Sequence, residues 1–129
     1  EETEMAEEAK KVLLVDDEPT VLRLFEEYCN IAQLDYGSCS QAEEALALVH
    51  YSLEKFGVIV LDINPGTIEL AREVRVTQPT LPIIFVTGRL PEDAKVLIDE
   101  ELKAIIAYKP ILLNGFISLI QAALASVSS

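Results

Sequence analysis

Four short runs of consecutive apolar residues recur along the chain: Val12-Leu13-Leu14-Val15, Val58-Ile59-Val60-Leu61, Ile83-Ile84-Phe85-Val86 and Ala104-Ile105-Ile106-Ala107. They are rich in β-branched residues and too short for buried helices, so each reads as a strand covered on both faces. Tyr36–Cys39 is a weaker fifth strand, expected at an edge. The stretches between them carry helical periodicity. Val21, Phe25, Tyr28, Cys29 and Ala32 share one face, with Pro19 near the start, where a missing N–H costs nothing. Ser40-Gln41-Ala42-Glu43 reads as a capping box opening a helix that turns Ala42, Ala45, Leu46 and Val49 inward. A short helix is predicted from about Thr67 to Val76, stopping before Pro79. Glu92 to Leu102 is a weaker helical stretch. Leu113, Phe116, Ile117, Ile120 and Leu124 mark a last helix.

Strand and helix alternating five times predict an α/β fold: a doubly wound, five-stranded parallel sheet with helices on both faces. A chain of 129 residues holds one such domain, expected over 11–129. Residues 1–10 are mostly acidic, without an apolar stripe, and read as a solvated tail or linker. The chain begins at Glu1 rather than Met, as a piece cut from a longer protein would.

Composition narrows the partners. Acids number 22 against 10 bases, a formal charge of −12, which repels phosphate backbones and anionic lipid. No nucleic acid and no membrane is therefore expected as a direct partner; a cation or a protein with a basic face suits the surface. Cys29 and Cys39 form neither a disulfide framework nor a CxxC pattern, and a lone His50 excludes a multi-histidine metal site. No basic region precedes an apolar one at the start, so no secretory signal is expected, and a cytoplasmic location is.

In doubly wound sheets, ligands bind beyond the carboxyl ends of the strands. There the first strand is followed by Asp16, Asp17 and Glu18, the third by Asp62, the fourth by Thr87 and Gly88, and the fifth by Lys109 and Pro110. Carboxylates gathered at one edge cannot all stay ionised without a counter-charge. Mg²⁺ would supply it, since that ion is held by one or two carboxylates, waters and a phosphate. Lys109 can pair with a phosphoryl oxygen and Thr87 can donate a hydrogen bond to another. Nucleophile, metal, cation and donor are the parts needed for phosphoryl transfer onto a carboxylate.

With these residues in place, the sequence resembles a response-regulator receiver domain of two-component signalling, from about Lys10 to Val127. The resemblance rests on Val-Asp-Asp-Glu-Pro at 15–19, Leu-Asp at 61–62, Val-Thr-Gly at 86–88 and Tyr-Lys-Pro at 108–110. Each is weak alone; together, in order and at strand ends, they are specific. The resemblance implies a flavodoxin-like strand order 2-1-3-4-5. It implies Asp62 as the acceptor of a phosphoryl group from a phosphohistidine on a histidine kinase or histidine phosphotransfer protein. It also implies Mg²⁺ held by Asp17, by Asp16 through water, by Asp62 and by the Asn64 backbone carbonyl. Thr87 would bond the phosphoryl oxygen, Lys109 would form its ion pair, and Lys109–Pro110 would be cis. Such a module promotes its own phosphorylation and slow dephosphorylation but is not a turnover enzyme.

The chain departs from the family pattern in three places. The loop after Asp62 runs from Asn64 directly into Pro65, about three residues short, so the third helix must begin differently. The segment from Arg89 to Ala104 looks more like receivers at the C-termini of hybrid histidine kinases and predicts a short or irregular fourth helix. Ile106 occupies the position where many members carry a switching aromatic residue, which puts the threonine–aromatic switch in doubt.

Each feature also has an ordinary meaning. Asp16-Asp17-Glu18 alone is an acidic turn before a helix, Thr87-Gly88 a plain turn, and Lys109 a surface lysine. Arg89 either reaches over the phosphoryl group or is a solvated loop residue. Two other functions compete: a phosphate-independent scaffold, against which Asp17, Asp62 and Lys109 argue, and an aspartyl-phosphate phosphatase, which wants an acid where Asn64 stands. From Pro110 to Ser129 no residue is charged. Leu112 and Leu119 are expected on one exposed flank of the last helix, giving a surface for homodimer formation or for an adjoining domain.

Overall fold

The computed structural model describes residues 10–128; residues 1–9, most of the expected acidic tail, lie outside the described residues. Five strands, β1 (Lys11–Val15), β2 (Tyr36–Cys39), β3 (Phe56–Asp62), β4 (Ile83–Thr87) and β5 (Ile105–Tyr108), form one sheet in the order β2-β1-β3-β4-β5. All pairings are parallel. The helices are α1 (Pro19–Ile31), α2 (Ala42–Ser52), α3 (Pro65–Thr77), α4 (Glu92–Val96) and α5 (Leu113–Ser128). The predicted architecture and strand order are therefore both present.

Successive side chains of a strand point to opposite faces, and that period of two divides the core in two. Leu13, Val15, Ile59, Leu61, Ile83 and Phe85 pack with Ala45, Val49, Leu70, Ala71 and Val74 of α2 and α3. Val12, Leu14, Val58, Val60, Ile84 and Val86 pack on the other face with Phe25 and Cys29 of α1 and Phe116, Ile120 and Ala123 of α5. Phe25 and Phe116 stack with ring centroids 5.0 Å apart, which fastens α1 to α5. The Tyr28 hydroxyl donates to the Ile111 carbonyl at 2.9 Å, so this partly wet ring is also satisfied.

Several local expectations need correction. β5 is not covered on both faces: it is the second edge of the sheet, and Ile105 and Tyr108 are exposed. The side chain reaching back to the Ser40 N–H is Glu44, at 3.3 Å, one residue later than the predicted box. α3 begins at Pro65 rather than near Thr67, because Asn64 is its N-cap and proline needs no donor at the first helical position. Leu119 and Leu124 pack against the core beside Ala123, whereas Leu112 lies before α5 and is 73 % exposed. The expected Leu112–Leu119 flank therefore does not exist.

The fourth helix is irregular, as the Arg89–Ala104 segment implied. α4 has five residues and passes into a π-helical turn, Leu97–Leu102, that ends at Lys103 with φ 52°. Ile98 and Leu102 are buried beneath it. The Arg75 guanidinium holds its end, donating to the carbonyls of Leu102 (2.6 Å), Lys103 (3.2 Å), Leu81 (2.7 Å) and Gln78 (3.0 Å). Among the described residues no helix is long and apolar enough to cross a membrane.

Candidate functional site

The register of the sheet brings the strand ends into line. Val15 of β1 pairs with Leu61 of β3, Asp62 with Val86 of β4, and Thr87 with Tyr108 of β5. The next residue after each pair emerges at the same edge, so Asp16, Asp17, Asp62, Thr87 and Lys109 meet there. Lys109–Pro110 is cis, as the resemblance implied. The Lys109 N–H donates to the Thr87 carbonyl at 2.8 Å, which fixes the lysine's backbone against the end of β4.

One oxygen from each of Asp16, Asp17 and Asp62 falls within a group no wider than 4.8 Å. Asp16 is buried, Asp62 partly buried and Asp17 exposed. Lys109 Nζ faces this group, 3.5 Å from Asp62 Oδ1 and 3.7 Å from Asp16 Oδ2. Its third partner, Glu18 Oε1 at 3.8 Å, was visible in the sequence only as a neighbour of the two aspartates.

Asp16 shows the electrostatic tension most clearly. Its Oδ1 accepts the Glu18 N–H at 2.9 Å, but its Oδ2 is buried with no hydrogen-bond partner. Burial pushes the carboxyl above its usual range, the Glu18 N–H holds it down, and the charges of Asp62 and Lys109 act in opposite senses. A buried carboxylate oxygen without a donor, beside two further carboxylates, is the donor set a hard divalent cation takes. The residues present fit such an ion.

Thr87 and Asn64 are occupied locally. The Thr87 hydroxyl donates to the Arg89 carbonyl at 2.7 Å and accepts the Arg89 N–H at 3.2 Å. It is close to the site but engaged by its own loop. The Asn64 carbonyl accepts the Ile68 N–H at 3.0 Å, as the first acceptor of α3, and also faces the Thr67 hydroxyl at 3.0 Å. Thr67 itself was missed by sequence reasoning. The signal for it was present, since Asn64-Pro65-Gly66-Thr67 has the spacing of a capping box.

The remaining singled-out residues take ordinary places. His50 is exposed near the end of α2, and Ile106 is half-buried against the α2–α3 side of the core. Cys29 and Cys39 are buried and unpaired, on opposite faces of the sheet.

The whole architecture has known counterparts. A response regulator receiver domain protein from Methanospirillum hungatei JF-1 superposes with a TM-score of 0.84 at 22 % identity, covering 94 % of this chain and 98 % of that one. A response regulator receiver domain protein from Clostridium thermocellum gives 0.83 at 22 % identity, covering 91 % and 95 %. A response regulator receiver protein from Sinorhizobium medicae WSM419 gives 0.79 at 24 % identity, covering 93 % and 98 %. At these identities the likeness speaks for the fold. No curated protein matches the sequence. The family description "Response regulator receiver domain" matches residues 12–121, which takes in all of the sheet but Lys11 and all the strand-end residues described above. The chain belongs to the response regulator receiver domain family.

Proposed function

We propose that the chain receives a phosphoryl group on Asp62 from a phosphohistidine of a histidine kinase or histidine phosphotransfer protein, and passes the signal on through a change of shape. The observation that carries this reading is the convergence of Asp16, Asp17, Asp62 and Lys109 at one sheet edge, with a buried, donorless oxygen on Asp16.

Asp62 stands at the end of β3 with part of its side chain open to solvent, so a donor can reach it. One carboxylate oxygen attacks phosphorus as the P–N bond to imidazole breaks; the imidazole nitrogen keeps the electron pair and takes a proton from solvent. An acyl phosphate on Asp62 results. Lys109, already paired with Asp62, holds a fixed positive charge where phosphoryl oxygens come to lie. Mg²⁺ is the proposed cation, held by Asp16, Asp17 and Asp62, and when bound it offsets the charge of carboxylates and phosphoryl group together. Thr87 lies one residue beyond the β4 partner of Asp62 and would have to leave Arg89 to reach a phosphoryl oxygen. Such a rearrangement of the β4–α4 loop is the conformational output we propose, and Ile106 takes no ring-flip part in it. The location proposed is the cytoplasm, where kinases of this kind and Mg²⁺ are available.

Incubation with Mg²⁺ and a small phosphodonor should add one phosphoryl group to the parent by intact mass, and none to Asp62→Asn. Full labelling of that variant would remove Asp62 from its assigned role.

A further inference from the structure

The short loop between β3 and α3 is closed by one buried side chain. Thr67 is 2 % exposed. Its hydroxyl oxygen accepts the Asn64 N–H at 3.0 Å, and its single proton faces the main-chain carbonyls of Asp62 and Asn64. In return, the Thr67 N–H donates to Asn64 Oδ1 at 2.9 Å. Each of these bonds ties Thr67 to the stretch 62–64, and one of the partners is the backbone carbonyl of Asp62 itself. Gly66 fits the same closure, since a Cβ there would press on Asn64 Oδ1 and the Ala42 methyl at 3.3 Å.

We infer that Thr67 is the positioning residue for the acceptor: its hydroxyl fixes the backbone of Asp62 and Asn64, and so sets where the Asp62 carboxylate meets the cation. The Asn64 carbonyl accepts the Ile68 N–H at 3.0 Å, so the same closure sets the direction in which that carbonyl points. The site depends on how firmly its carboxylates are placed, so a shift of the Asp62 backbone is felt directly. The inference rests on Asp62 being the acceptor for its catalytic part, but the cation part stands on geometry alone.

The test compares Thr67→Val, which keeps the shape and loses the hydroxyl, with Thr67→Ser, which keeps the hydroxyl. Mg²⁺ alone is titrated against the melting temperature, and labelling by a small phosphodonor is timed at saturating Mg²⁺. Thr67→Val should raise the Mg²⁺ concentration needed for half the effect, and slow labelling, each by about tenfold, as small misplacements of reacting groups do. Thr67→Ser should stay close to the parent in both. Unchanged Mg²⁺ dependence and labelling in a folded Thr67→Val, or equal losses in both variants, would overturn the inference and leave the acceptor assignment standing. If the parent takes no label, the acceptor assignment fails, and the Mg²⁺ titrations alone decide the role of Thr67. Should Thr67→Val not fold, amide exchange in the parent decides: slow exchange at the Asn64 N–H supports the closure, and open-chain exchange there overturns it.

Discussion

Lys109 Nζ stands 3.5 Å from Asp62 Oδ1 and, with Asp16 Oδ2 and Glu18 Oε1 at 3.7 and 3.8 Å, one ammonium group is shared by three carboxylates from two strand ends. It is the counter-charge that the chain itself supplies, and a divalent cation competes for the same work. Lys109→Met keeps the apolar stem and removes the charge. Without divalent ions it should cost about 1–3 kcal/mol, less than a fully buried broken pair because Lys109 and Asp62 are partly open to water. Saturating Mg²⁺ should recover most of that loss. Thermal melts of parent and variant, in chelator and in Mg²⁺, measure it; a Mg²⁺ gain no larger in the variant than in the parent would separate lysine from cation site.

Asp16 should act against stability when no cation is bound. Its folded-state pKa is raised by burial, so the folded protein holds a proton that the unfolded chain releases. Stability therefore falls as pH rises from the ordinary value of 3.8 through the raised folded value. In chelator at pH 7, Asp16→Asn should be the more stable protein, with the higher Tm. The gain should vanish near pH 4 and reverse in saturating Mg²⁺. Melting curves across pH with and without Mg²⁺ check all three signs.

The two thiols should be inert in the native protein. Burial pushes Cys29 up to about 11, and Cys39 is pushed up by burial and by Glu44. A thiol so far from ionising is a poor nucleophile at neutral pH. Alkylation counted by mass should show neither cysteine modified in native buffer and both modified in denaturant. Rapid native labelling of Cys29 would contradict the packing of α1 on the sheet.

Arg75 is expected to hold the π-helical turn. Its guanidinium serves four main-chain carbonyls from two loops, and no other described side chain donates to them. Arg75→Ala should cost about 2–3 kcal/mol, since hydrogen bonds from a charged donor are stronger than neutral ones. Hydrogen exchange should quicken at Ala104, whose N–H bonds the Ile98 carbonyl at the end of that turn. Exchange that quickens evenly across the domain, instead of there first, would make Arg75 an ordinary core contributor.

How much of this was legible depended on whether the signal was chemical or geometric. Asp16, Asp17, Asp62, Thr87 and Lys109 could be gathered from sequence because parallel strands end at one edge, and the residue after each strand is read directly. The exposed half of β5 was not read from its apolar run, which looks like that of a central strand, although the strand order implied by the resemblance places it at the rim. The inward face of α5 was chosen by bulk, which favoured Leu113 and Ile117 over Ala123, yet Ala123 is buried and those two are only half-buried. The capping box at 64–67 escaped because Asn64 was weighed for its chemistry, as a metal ligand and as the place of an absent acid, and not as a helix cap.

The most direct measurement of the central claim locates the phosphoryl group. After reaction with a small phosphodonor and Mg²⁺, borohydride reduces an acyl phosphate on aspartate to homoserine, which peptide mass spectrometry assigns to a position. The account predicts conversion at position 62 alone, lost when Mg²⁺ is chelated. Conversion at Asp16, Asp17 or any other acid, or no conversion of a folded parent, would contradict it.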